Sequence, residues 1–100
     1  MSQQPNRPEI VFARELNGVR VEAPVWRNEY ERDGRTFYRY SVTTNKQYYD
    51  WDTKTWQDSK SFFPADLPLL IAVATEAHNY VTSPERRKSM APEEMAEVAE

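Results

Sequence analysis

Cysteine is absent from this chain of 100 residues, and glycine occurs only at Gly18 and Gly34. The first absence excludes disulfide frameworks, thiolate zinc sites and cysteine nucleophiles. The second excludes the glycine-rich loops that cradle phosphates in nucleotide enzymes. Histidine is represented by His78 alone; with no second histidine or cysteine to complete a site, it reads as a packed or interfacial residue, not a catalytic or metal-binding one. Asp50 and Asp52 flank Trp51, but the other ligands and the glycine of a calcium loop are missing, so the pair reads as turn-forming. No serine sits in a nucleophile elbow. With no candidate group for catalysis, metal or cofactor, the chain reads as a non-enzyme. No apolar run approaches membrane length and the opening MSQQPNRPE lacks the hydrophobic segment of a secretory signal, so a cytoplasmic location without a membrane partner is expected.

An excess of positive charge is lacking too. Between Glu9 and Thr82 nine Lys or Arg face eleven Asp or Glu, a net of −2, whereas domains that bind nucleic acid are typically basic. Any such binding has to rest on local segregation of cations. Residues 1–8, with two prolines among Gln, Asn and Ser, read as a disordered leader. Residues 83–100 bunch their cations at Arg86, Arg87 and Lys88 and their carboxylates mostly at the end. They read as a charged, flexible tail able to compete with an anionic ligand or to engage a protein partner, with Pro92 to Ala99 forming at most a weak terminal helix. Residues 9–82 then form a single domain. A domain of that size buries only about 60–65% of its unfolded surface, so a homodimer is expected.

Aromatic residues and alternation are what the chain does have, and most of both lie between Thr36 and Phe63. Successive strand side chains face opposite sides of a sheet. Phe37, Arg39, Ser41 and Thr43 therefore share one face while Tyr38, Tyr40 and Val42 share the other. A turn at Asp50 to Lys54 separates this run from a second strand beginning at Trp56. Upstream, Ile10 to Phe12 reads as a short strand, Asn17-Gly18 reads as a type I′ hairpin turn and Asp33-Gly34 as a second turn. Between them Val19, Val21, Ala23 and Val25 face one way, and Arg20, Glu22, Trp26 and Asn28 the other. Pro24 inside this strand predicts an edge position or a bulge, because proline cannot donate to the ladder. Trp56, Asp58, Lys60 and Phe62 are assigned to the outer surface.

Asp66 reads as a helix N-cap, with Pro68 tolerated in the first turn. Leu67, Leu70, Ile71, Ala74, His78 and Val81 recur at helical spacing and are expected to cover the inner face of the sheet. Leu69, Val73, Ala77 and Tyr80 widen the apolar surface and are assigned to a dimer interface. Ser83-Pro84 ends the helix. The fold class is α+β: an antiparallel sheet of about four strands, built of hairpins, followed by one C-terminal amphipathic helix.

The outward set supplies the candidate site. Arg20, Trp26, Asn28, Phe37, Arg39, Trp56 and Lys60 share one surface, joined near the loop by Lys46 and Tyr49. Rings stack on unpaired bases at about 1–3 kcal/mol per base, while cations meet phosphates; duplex bases are already stacked and unavailable. Arg20, Arg39, Lys46 and Lys60 are expected on phosphate, and Trp26, Phe37 and Trp56 on bases. The competing reading is a protein-interaction module, since exposed aromatic and arginine clusters also typify protein hot spots.

Strands followed by one helix make the chain similar to the positive-cofactor-four and Whirly group of single-stranded-DNA-binding proteins. It also resembles small prokaryotic proteins in which Ala23-Pro24-Val25-Trp26-Arg27-Asn28-Glu29, Trp56-Gln57-Asp58-Ser59-Lys60-Ser61-Phe62 and Asp66-Leu67-Pro68 have counterparts. The resemblance spans Val19 to Val81. It implies a dimer that binds single-stranded DNA, or RNA less readily, with a role in transcription or DNA maintenance.

Overall fold

The computed structural model describes residues 7–87. In chain order they form β1 (Ile10–Leu16), β2 (Val19–Arg32), β3 (Arg35–Val42), β4 (Asn45–Asp50), β5 (Thr55–Ser59), a 3₁₀ turn (Pro64–Asp66), α1 (Leu67–Val81) and a single-turn α2 (Pro84–Arg87). Residues 1–6 of the expected leader, and the terminal helix expected between Pro92 and Ala99, lie outside the described residues. All strand pairs are antiparallel, as the α+β reading requires.

Both predicted hairpins form where the turn chemistry puts them. Asn17 and Gly18 have φ of 52° and 75°, and Asp33 and Gly34 of 55° and 76°, the paired left-handed conformations of a type I′ turn. The third turn uses Asp50, whose Oδ1 accepts the Asp52 N–H at 2.9 Å and the Thr53 N–H at 3.4 Å. Lys54, at φ 57°, closes it.

β2 is the axis of the sheet. β1 flanks its first half, and β4 and β3 follow one another along its other edge. Val42 lies opposite Val25 and Asn45 opposite Glu22, so register is kept across the gap between β3 and β4. They are one strand interrupted at Thr43 and Thr44. The interruption comes from Pro24. Thr43 N–H donates to the Pro24 carbonyl at 3.2 Å, but the reciprocal bond of that pair needs a donor proline does not have. Pro24 is therefore buried in the central strand, paired with Val11 of β1, and not at an edge; its missing N–H breaks the partner strand. Topologically the sheet is the four-strand meander with one strand cut in two.

The core is small. Val21, Ala23 and Val25 of β2 meet Val73 and Ala77 of α1, with Ile10, Phe12, Leu69, Leu70, Tyr80 and Val81 packed around them. Each fully buried valine contributes about 1.5–3 kcal/mol of apolar transfer. The helix lies on this core with a face that overlaps the expected one only at Leu70 and Val81. Val73 and Ala77, assigned to a dimer interface together with Leu69 and Tyr80, are 0% and 1% exposed, whereas Ile71 is 64% exposed. Leu67, Ala74 and His78 are exposed as well. Apolar periodicity is too broad to choose between these faces. Polar contacts accompany the observed face: Glu76 pairs with Arg14 of β1, and Tyr80 OH donates to Glu9 Oε2 at 2.6 Å.

Asp66 precedes α1, but its side chain makes no forward capping bond to that helix. Its Oδ2 reaches back instead, accepting the Phe63 N–H at 2.8 Å and Lys46 Nζ at 2.5 Å. Phe62, assigned to the outer surface, packs against the core, because the chain leaves β5 after Ser59 and bends toward the helix.

Candidate nucleic-acid interface

α1 rests on β1 and β2 from one side, which leaves the opposite sheet face without a covering element among the described residues. Register assigns its side chains. Trp26 pairs with Ser41, Asn28 with Arg39, Tyr30 with Phe37 and Arg32 with Arg35. Arg20 pairs with Glu15 and Gln47, and Tyr49 with Trp56. Cross-strand partners share a face, so Arg20, Trp26, Asn28, Phe37, Arg39, Tyr49 and Trp56 all lie on the outer one, as alternation predicts.

One of the nominated cations, Lys46, does not join them, and a second, Lys60, stands apart from the rest. Lys46 pairs with Val21 on the inner face and is 3% exposed. Its ammonium donates to the Ser61 carbonyl at 2.9 Å and to Asp66, and lies 4.5 Å from the centre of the Phe63 ring. A buried ammonium needs such partners to offset desolvation, and none is left for a phosphate. Lys60 is exposed just past β5, beside a cleft of about 620 Å³ that Glu22, Asn45, Gln47, Asp58 and Phe62 also line. It shares that cleft with the carboxylates of Glu22 and Asp58, away from Arg39.

The outer face has two electrostatically different halves. β1 ends opposite Val25, so past that point β2 and β3 continue as a two-stranded ribbon. On the ribbon's outer side stand Trp26, Asn28, Tyr30 and Arg32 from β2, and Arg35, Phe37, Arg39 and Ser41 from β3. Among the described residues no carboxylate occupies an outward strand position there, because Glu29 and Glu31 fall on the opposite face. The Tyr30 and Phe37 ring centres are 5.9 Å apart with planes tilted by 32°, and the Arg32 guanidinium lies 5.6 Å from the Phe37 centre. Trp26 is held by its Nε1, which donates to Thr43 Oγ1 at 2.9 Å, and Asn28 Nδ2 reaches the Arg39 carbonyl at 3.4 Å.

The other half is more acidic. Arg20 is engaged by Glu22 at 3.1 Å and Glu15 at 3.8 Å, and Asp58 stands opposite Gln47. Its rings form a separate cluster: Tyr49 sits 5.5 Å from Trp56 and 4.6 Å from Trp51, edge-on to both. Tyr30, Arg32 and Arg35 are ribbon residues that the sequence pattern does not nominate. The signal was available: an Asp33-Gly34 type I′ turn fixes the register of both strands, and parity then places all three beside Trp26 and Phe37.

On the inner side, at the ribbon's base, Glu9 ties three elements together. Its carboxylate accepts the Tyr80 hydroxyl and lies 3.4 Å from Arg27 Nε and 3.8 Å from Arg86 Nε. Burial, and then the hydrogen bond to Glu9, push the Tyr80 phenol above its ordinary value. Burial and the Glu9 charge do the same for Tyr40. This cluster holds ribbon, helix end and N-terminal segment in one relative position. Among the described residues no three His, Cys, Asp or Glu side chains converge as a metal site requires, and no helix is long and apolar enough to cross a membrane.

Fold and face together define a class: an antiparallel platform covered by a helix on one side, with rings and cations presented on the other. No protein-family model, no curated protein and no solved structure matches the chain.

Proposed function

We propose that the outer side of the β2–β3 ribbon binds single-stranded nucleic acid, DNA in preference to RNA and without strong sequence preference. Trp26, Tyr30 and Phe37 stack on bases, and Arg32, Arg35 and Arg39 contact phosphates. The observation that carries this reading is the segregation of charge: a chain with a net charge of −3 turns three arginines and no carboxylate outward at the strand positions of the ribbon, interleaved with three rings. Stacking and cation contact are the two components that unpaired strands require. The same ligand is the one implied by the resemblance to the positive-cofactor-four and Whirly group, and with it a role in transcription or DNA maintenance.

Titration of tryptophan emission with a thymidine oligonucleotide at low salt tests the reading. Quenching is expected, with affinity falling as salt rises at a log–log slope of about −2, the value for three neutralised phosphates of a single strand. Emission unmoved by a large excess of strand, or affinity indifferent to salt, counts decisively against it.

A second reading, a protein-docking module, is favoured by the other side of the molecule. Phe63 and Ile71 are 63% and 64% exposed, and Leu67 is exposed beside them. Such apolar surface marks contact sites for a protein partner or a second copy. Ile71→Glu and Arg39→Glu separate the two readings, the first abolishing protein contact and the second strand binding.

A further inference from the structure

We propose that the free edge of β3 pairs with the same edge of a second copy, antiparallel about a two-fold axis that passes beside Tyr38 and stands perpendicular to the sheet. Among the described residues β3 pairs with β2 alone, and past Val25 the ribbon has no third strand beside it. Two strands by themselves are marginal in water, whereas three or more with an apolar face hold together. An unpaired edge is also a template for another strand, which natural edges avoid by being short or by carrying lysine, proline or a bulge. β5 is such an edge, with five residues. β3 has eight, RTFYRYSV, without lysine or proline and in unbroken register with β2. Thr36, Phe37, Tyr38, Tyr40 and Val42 are all of strand-favouring type.

The ladder fixes which groups this edge offers. Thr43 N–H points at Pro24, and direction alternates along an antiparallel strand. Arg35, Phe37, Arg39 and Ser41 therefore bond to β2, while Thr36, Tyr38, Tyr40 and Val42 turn their N–H and C=O away from it. An isologous pair has to match these outward groups with one another, which leaves few registers. An axis at Phe37 sets Arg35 opposite Arg39, and one at Arg39 sets that residue opposite itself; like charges directly opposite are unfavourable. An axis at Tyr40 drives the other copy's Asp33-Gly34 turn alongside Lys46 and Gln47, where β5 already lies. An axis at Thr36 leaves Tyr40 and Val42 unpaired. With the axis at Tyr38, Thr36 of each copy stands opposite Tyr40 of the other, Phe37 opposite Arg39 and Gly34 opposite Val42. Each turn then stops beside Thr43 of the other copy, short of β5, at the open cleft that Thr44, Asn45 and Lys60 line. Rotation about a perpendicular axis keeps both outer faces on one side, so the pairing neither rests on strand binding nor covers the face assigned to it.

Sedimentation and hydrogen exchange test this. The full chain is expected to sediment as a dimer and to dissociate on dilution. Tyr38→Pro removes the N–H at the axis and spares the β2–β3 ladder, because that N–H points away from β2. It should be a monomer by sedimentation and folded by circular dichroism. In the wild type the amides of Thr36, Tyr38, Tyr40 and Val42 should be protected in the dimer and exchange rapidly in the diluted monomer. Should Tyr38→Pro fail to fold, this exchange pattern decides by itself. A wild type that is monomeric at all concentrations overturns the proposal. So does a folded Tyr38→Pro chain that keeps the dimer's mass, or a dimer in which those four amides exchange freely. A dimer lost in Ile71→Glu and kept in Tyr38→Pro places the contact on α1 and overturns it as well. Oligonucleotide titration reads strand binding separately, since Tyr38 lies on the inner side with Glu29, its cross-strand partner, and its replacement leaves Trp26, Tyr30 and Phe37 in place.

Discussion

Lys46 Nζ lies 2.5 Å from Asp66 Oδ2, twenty positions along the chain, and the two side chains are only 3% and 7% exposed. The pair fastens the 3₁₀ turn that starts the helix to β4, at the edge of the core. Removing one partner of a buried pair strands the other charge without water, at a cost of about 3–5 kcal/mol. Asp66→Ala should therefore lower the unfolding free energy in urea by that amount. Lys46→Met/Asp66→Leu should recover much of the loss, since an apolar pair leaves no stranded charge. A single substitution costing under about 1 kcal/mol would mean that water reaches the pair.

Acid should unfold the protein through the same residue. The Asp66 carboxyl is held below its ordinary value of 3.8, first by the hydrogen bond from Lys46 and then by the Phe63 N–H, against the opposing effect of burial. As pH falls the unfolded chain takes up this proton before the folded one does. The pair's contribution is fully present above the ordinary value and is lost as pH drops through the depressed one. Urea midpoints should hold steady from neutral pH to about 5 and decline below about 4. Asp66→Asn, with no carboxyl at this position, should flatten the decline.

Strand binding should map to the ribbon and not to the whole face. Trp26→Ala and Phe37→Ala should each weaken oligonucleotide binding by about 1–3 kcal/mol, the range for a base-stacking ring. Arg39→Ala should shallow the salt slope by about 0.7, the share of one phosphate on a single strand. Trp56→Ala and Arg20→Ala should leave affinity unchanged, because the first belongs to the separate Tyr49 cluster and the second is engaged by Glu15 and Glu22. Equal losses at Trp26 and Trp56 would return the site to the entire face.

Restoring a donor at position 24 should join β3 to β4. In Pro24→Val the new N–H points at the Thr43 carbonyl, completing the bond pair of which Thr43 N–H to the residue 24 carbonyl is already made. Hydrogen exchange measured by NMR should show the new amide at position 24 protected to the level of its neighbours in β2. Rapid exchange there would place the cause of the break elsewhere, in the Thr43-Thr44 segment itself.

Alternation on β2 and β3 was legible without coordinates because both flanking turns are type I′ pairs that leave register no freedom. The placement of Trp26, Phe37 and Arg39 on one face follows from that alone. Lys46 belongs to the same alternating run, and its inward position follows from parity once β4 is seen to continue the register of β3. Its proximity to the loop points instead to the outer face, and Asp66, the partner that makes an inward lysine stable, is too distant in the chain to be inferred.

What the residues alone determined, then, is everything set by neighbours in sequence: the turns at Asn17-Gly18 and Asp33-Gly34, the two faces of each strand, and the limits of α1 near Asp66 and Pro84. Tertiary structure decided which side of the helix is inside, whether Pro24 is central or peripheral, and which cations stand on the outer face. α1 is apolar on both flanks, so its rotation depends on what the sheet brings beneath it: the Val21, Ala23 and Val25 surface, with Arg14 and Glu9 beside it. The ribbon likewise owes its uniform sign to register between strands, which turns Glu29 and Glu31 away while keeping Arg32, Arg35 and Arg39 outward.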